Sequence, residues 1–130
     1  MNKPAALSVD VVIPVFNAPE LTKRCIDSVM THLKQSIEAV YVQDDASSDE
    51  TRAMLDDLRY PQVHIYHAPE NQGFGKSVND AVARSDADLV FVLNSDTEID
   101  EDFLPVLCAA FVADPELAAI SPGHKNFFCF

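Results

Sequence analysis

Glycine is scarce in this 130-residue chain, occurring three times, and tryptophan is absent. No glycine belongs to a Gly-x-Ser-x-Gly elbow, so acyl-transfer chemistry has no foothold. The three cysteines, Cys25, Cys108 and Cys129, are odd in number and far apart. They form neither a Cys-x-x-Cys pair nor a disulfide framework, and they read as reduced thiols of a cytoplasmic protein. No apolar run approaches the ~20 residues needed to span a bilayer, and the start from Met1 to Val15 lacks the parts of a secretory signal. Positive charge is thin as well: 9 Lys and Arg against 21 Asp and Glu leave a net charge of −12. Such a chain repels phosphate backbones and anionic membrane surfaces, which argues against a nucleic-acid binder. It can still hold a phosphorylated small molecule through a metal ion.

What is present suits one folded unit, residues 1–130. With 48% hydrophobic and 23% charged residues, a chain of this length buries roughly two-thirds of its extended surface. Disorder and fibrous repeats are therefore excluded. Val9 to Val15, rich in β-branched residues, reads as a buried strand that ends at Asn17 and Pro19. Leu21, Cys25, Val29 and Leu33, with Ile26 and Met30, form the apolar stripe of a helix opened by Asn17 or Pro19. Ala39 to Gln43 is a second strand, and Ser47 and Glu50 have capping-box spacing for a helix through Met54, Leu55 and Leu58. Residues 63–66 give a third strand, and a loop to Gly75 leads into a helix carrying Val78, Ala81 and Val82. Residues 88–93 are the fourth strand. A helix from about Asp100 to Ala113 should turn Phe103, Leu104, Leu107 and Phe111 inward, and Leu117 to Ile120 should begin a fifth strand. Strands alternating with helices predict an α/β fold, doubly wound around a mainly parallel sheet. The order of the strands is not readable from the pattern.

Ligands in such sheets bind beyond the carboxyl ends of the strands. The polar clusters Pro14–Asn17, Asp44–Asp49, Asn71–Lys76 and Asn94–Asp96 all fall there. If the second and fourth strands flank the first, Asp44, Asp45 and Asp96 can approach one phosphate-bound Mg²⁺ or Mn²⁺. Chance placement of a few of the 21 acids on loops is the plainer alternative. Asn71 to Ser77 imitates a phosphate loop, but Glu70 stands where Walker A needs glycine. What survives is a turn feeding a helix N-terminus, with Lys76 placed to meet a phosphate or simply facing solvent. His64 and His67 need not share a face, and no paired cysteine supports zinc. Asp100, Glu101 and Asp102 read as a helix cap.

Four stretches taken together resemble the inverting, family 2 type of GT-A glycosyltransferase, which uses nucleotide-sugar donors. They are VVIPVFN at 11–17, VQDDASSDET at 42–51, NQGFGKSVNDAV at 71–82 and DLVFVLNSDTEID at 88–100. Order and spacing match up to about Ile120. The resemblance implies that Pro14, Val15 and Phe16 line the nucleotide pocket and that Asp45 meets the base with Asp44 beside it. It also implies that Lys76 and Asn79 run beside the donor's phosphates and sugar. The family's Asp-x-Asp motif corresponds to Asn94-Ser95-Asp96, which puts Ser95 in the donor site and leaves Asp96 as the ligand of Mg²⁺ or Mn²⁺. The Asn-x-Asp-Thr-Glu form looks like the rhamnosyltransferase-like branch of cell-surface polysaccharide synthesis.

The implied reaction is displacement at the anomeric carbon by an acceptor hydroxyl, with a carboxylate base and a metal ion at the departing diphosphate. In the family that base and the acceptor pocket lie C-terminal to the matched region, so no catalytic residue is assigned here. The chain is expected to be the N-terminal, donor-binding half of a longer enzyme, inactive alone. Its implied partners are a nucleoside-diphosphate-sugar donor and a saccharide or lipid-linked saccharide acceptor. Its expected place is the cytoplasm, including the inner face of the membrane for a full-length protein, and an open sheet edge leaves room for a second copy. A signalling receiver would carry its acidic pair after the first strand, and a sugar-phosphate nucleotidyltransferase would carry a glycine-rich basic loop there. Neither is present. A non-catalytic nucleotide-binding or interaction module stays open as the alternative.

Overall fold

The computed structural model describes residues 6–123. Expectations about His124, Cys129 and the rings of Phe127, Phe128 and Phe130 lie outside the described residues. The order along the chain is β1 (Val9–Val15), α1 (Pro19–His32), β2 (Ala39–Asp44), α2 (Asp49–Asp56), β3 (Val63–His67), α3 (Phe74–Val82), β4 (Leu89–Val92) and α4 (Leu104–Ala113). The strands pair in the order β3-β2-β1-β4, all in parallel. This is the doubly wound α/β class expected from the alternation, with β1 flanked by β2 and β4.

Alternation along β1 divides its side chains between two faces. Val9, Val11, Ile13 and Val15 join Cys25, Ile26, Val29 and Leu33 of the α1 region, Val40 and Val42 of β2, Leu55 of α2 and Leu104 of α4 in one core. Burying a Val, Leu or Ile side chain contributes roughly 1.5–3 kcal/mol. The opposite face is covered by α3. Asp10, on that face, accepts a hydrogen bond from Ser85 Oγ at 2.5 Å just past α3. Gln43 is tied to Arg84, whose guanidinium lies 3.7 Å from the centroid of the Tyr66 ring.

Several local expectations are corrected. No strand follows β4 among the described residues; a turn with Leu117 N–H on Asp114 O at 3.1 Å redirects the chain, and Ala118 to Ile120 lie along a groove beside β4. Alanine pairs poorly into sheets, which fits. α4 starts at Leu104, not near Asp100. Asp102 nevertheless accepts the Leu104 N–H at 3.1 Å, so a carboxylate does serve the first turn. The inward face of α4 is only partly covered: Leu104 is buried, whereas Phe103, Leu107 and Phe111 are half-buried. Ser47 does not cap α2, since Ser48 is the residue before its first turn and Leu58 lies beyond its end. α3 begins at Phe74, ahead of Gly75. In the α1 stripe Leu21 is exposed and Thr22 takes the buried place. Among the described residues no helix is long and apolar enough to cross a membrane.

Candidate functional site

β1 continues to Val15, whereas its last residue paired with β4 is Val12, opposite Val92. The two strands therefore part at their carboxyl ends and open a cleft of about 690 Å³. Pro14 stands in that gap. Val12 C=O accepts the Leu93 N–H at 2.9 Å on the β4 side, and by alternation Pro14 faces the same way after β4 has ended. A missing N–H costs nothing there, which is how proline fits into a central strand.

The walls are built from the strand ends and two helix starts. Pro14, Val15, Phe16, Ala18 and Leu21 form one side, Asp45 the middle, Asn71, Gly73, Phe74 and Ser77 a second side, and Asn94, Ser95 and Asp96 the third. The first loop is locked to the second: Asn17 N–H donates to Ser47 Oγ and Ser48 N–H donates to Asn17 Oδ1, each at 2.8 Å. Asn17 and Ala18 sit at φ 57° and 52°, a left-handed conformation that costs a non-glycine residue ~1–2 kcal/mol. Such strain gathers at binding sites.

Adjacent carboxylates at the end of β2 point in opposite directions. Asp45 faces the cleft and takes the Gln72 N–H on Oδ1 at 2.6 Å and the Gly73 N–H on Oδ2 at 2.9 Å. The Asn71 side-chain amide adds a bond to the Asp45 carbonyl at 3.2 Å. Gly73, at φ 90°, turns the chain into α3 in a conformation that a side chain would strain. Asp44 faces inward, fully buried, and is not part of the wall. Its Oδ1 accepts the Ser47 N–H at 3.1 Å and its Oδ2 lies 2.6 Å from Nδ1 of His67, whose Nε2 lies 2.7 Å from Oδ1 of Asp56.

The loop carrying Asp96 is held by α1. The Cys25 thiol donates to Asn94 O at 3.6 Å, Ile99 N–H donates to Ser28 Oγ at 2.9 Å, and Arg24 pairs with Glu98. Burial pushes the Cys25 thiol up to about 12; the Thr97 backbone opposes this, while Asp96 and Glu98 add to it. The thiol thus stays protonated and donating. Cys25 should resist alkylation at about pH 8 until the protein is unfolded, which mass spectrometry along a denaturant series checks. Labelling in the folded state would mean that the 94–97 loop opens.

Of the residues singled out in the sequence, Pro14, Val15, Phe16, Asp45, Ser95 and Asp96 meet around the cleft. Lys76 instead pairs with Asp80 at 3.2 Å, one turn along α3, and Asn79 is exposed and off the wall. Ala18, Leu21 and Ser77 belong to the wall but were given no site role from the sequence. Ser77 had two signals, its place at the end of the Asn71–Ser77 stretch and its position four residues before the buried Ala81 on the same helix face.

The described walls hold two carboxylates, Asp45 and Asp96, and no lysine, arginine or histidine. No group of three or more His, Cys, Asp or Glu side chains arranged to hold a metal occurs among the described residues. Mg²⁺ and Mn²⁺ commonly use one or two carboxylates plus substrate phosphates and water, so the exposed Asp96 fits as a single protein ligand.

Comparison with known proteins gives the family and the fold. The family model described as Glycosyl transferase family 2 matches residues 10–127. An N-acetylglucosaminyltransferase of Rhizobium sp. (strain N33) is 34% identical over 116 residues, covering 86% of this chain and 26% of that protein. A chondroitin synthase of Pasteurella multocida (strain Pm70) is 28% identical over 120 residues, covering 91% of this chain and 12% of its own. The chain thus spans about a quarter or less of these relatives. The crystal structure of S. aureus TarS 1-349 superposes with a TM-score of 0.70 at 22% identity, over 82% of this chain and 33% of that one. That last likeness concerns the fold.

Proposed function

The chain belongs to glycosyl transferase family 2, and from that premise we propose that its cleft binds the nucleoside diphosphate of a sugar donor. The observation that carries this reading is the strand order, which places the ends of β1, β2 and β4 around one cavity holding Phe16, Asp45 and Asp96. Phe16 and Phe74, 55% and 62% exposed, offer apolar surface to a base or ribose. Asp45 presents an acceptor for a base N–H, and the loop 94–96 lies where the diphosphate would run. A diphosphate meeting two carboxylates and no fixed cation needs a counter-ion.

Asp96 would hold Mg²⁺ or Mn²⁺, which when bound would neutralise charge on the leaving diphosphate. The chain's own part is to orient the donor, the loops 16–18 and 94–99 being fixed by hydrogen bonds from α1 and from Ser47. The whole reaction we propose is inverting transfer from a nucleoside-diphosphate sugar to a hydroxyl of a saccharide or lipid-linked saccharide. The base that takes the hydroxyl proton and the acceptor pocket are assigned to sequence of the longer relatives that this chain does not span. Alone it should bind the donor without transferring sugar. Lys76, if it leaves Asp80, and Asn79 would act at the outer edge of the donor. The name N-acetylglucosaminyltransferase of one relative points to N-acetylglucosamine as the sugar, whereas the rhamnosyltransferase-like reading rests on Asn94-x-Asp96-Thr97-Glu98 alone.

Calorimetric titration with UDP, GDP and dTDP, each with and without Mn²⁺, tests the proposal. Binding of one of them, tightened by Mn²⁺, is the expected result. A folded protein that binds none of the three would overturn it.

A further inference from the structure

Ser77 is 1% exposed and lines the cleft, yet its hydroxyl has no hydrogen-bond partner among the described residues. A serine inside a helix commonly turns its hydroxyl back to the carbonyl four residues earlier. Here the Gly73 carbonyl takes only the Ser77 N–H, at 3.1 Å. An orphaned buried hydroxyl is costly, so its place on the wall of a binding cleft calls for a partner from outside the chain.

Resting on the donor reading above, we infer that Ser77 is a recognition residue of this cleft, its hydroxyl donating to an uncharged oxygen of the donor's nucleoside. The charge pattern decides between nucleoside and phosphate. The start of α3 would ordinarily attract an anion, but the Asp45 carboxylate already occupies it through the Gln72 and Gly73 N–H groups. A phosphate at Ser77 would set its negative charge against a carboxylate of the same cleft, whereas a base carbonyl there carries no net charge. Asp45 as acceptor beside Ser77 as donor also matches a ring that presents an N–H next to a C=O. The hydroxyl lies just beneath the cleft surface, and a change of the single χ1 rotamer moves it.

The test compares wild type with Ser77→Ala by calorimetry, using whichever of UDP, GDP and dTDP binds wild type in the presence of Mn²⁺. Inorganic pyrophosphate with Mn²⁺ serves as the phosphate-only probe. The variant should bind the nucleotide about threefold to tenfold more weakly, with pyrophosphate binding unchanged. The thermal midpoint of the ligand-free variant should be equal or higher, since the orphaned hydroxyl is gone. Equal nucleotide affinity, a loss of pyrophosphate binding in the variant, or a lowered midpoint would each overturn the assignment. Absence of nucleotide binding by wild type would remove the donor reading and this inference with it; binding by wild type with an indifferent variant sinks the serine alone.

Discussion

Replacing His67 with alanine should lower the unfolding free energy by about 3 kcal/mol near pH 6, the lower end for breaking a buried ion pair. Asp44, whose side chain is 0% exposed, would then keep only the Ser47 N–H. Burial alone would lower the pKa of His67, but hydrogen bonds to Asp56 and Asp44, and their charges, outweigh it and raise the ring above 6.5. A folded-state pKa raised above the unfolded one gives stability that is fully present below about pH 6.5 and is lost as pH rises through the folded value. Deprotonation leaves one ring N–H for two carboxylates, and Asp56, the exposed partner, is the one expected to lose its bond. Denaturant unfolding of wild type and variant at a series of pH values should therefore show a gap that narrows above neutrality. A gap of unchanged size on both sides of pH 6.5 and up to the alkaline limit of the fold would mean that the charge of the ring does not contribute.

The elements whose signal is local were legible in the sequence. β1 is a run of β-branched residues with a polar end, α1 has a four-residue apolar spacing, and the acidic pair at the end of β2 follows an apolar run. Alternation of side chains along a strand could in principle have separated Asp44 from Asp45, one inward and one toward the cleft. It required knowing which face of β2 the core occupies, and that depends on pairing across the sheet. The same holds for His67, whose partners are 23 residues away in sequence at Asp44 and 11 away at Asp56. Judged by spacing, it could be compared only with His64, which instead stacks on Tyr41 on the other side of the strand. The fifth strand failed for the opposite reason: four apolar residues suffice for a local signal, but Asp114 and Pro115 turn the chain first. Lys76 illustrates a further limit. Its place in the first turn of α3 was readable, yet the nearer Asp80 captures it.

Asp96→Ala should remove the metal dependence of nucleotide binding while leaving the fold intact. The side chain is exposed, and its loop is held by backbone groups, Asn94 O on Cys25 and Ile99 N–H on Ser28. Nothing structural should fail with the carboxylate. If Asp96 is the one protein ligand of the ion, its loss costs at least the 10- to 100-fold typical of partners one shell further out. The expected result is therefore wild-type affinity for the nucleoside diphosphate that rises with Mn²⁺ and a variant affinity that does not, with both proteins melting at the same temperature. Asp45→Asn makes the contrasting case. It removes one of two acceptors for the Gln72 and Gly73 N–H groups and faces the other N–H with an amide donor. That change should lower the melting temperature and weaken nucleotide binding even without metal. The two variants thus divide the cleft between diphosphate and nucleoside. A metal response that survives Asp96→Ala would place the ion elsewhere, and metal-free binding untouched by Asp45→Asn would leave the base to be read by the backbone at Pro14 to Phe16.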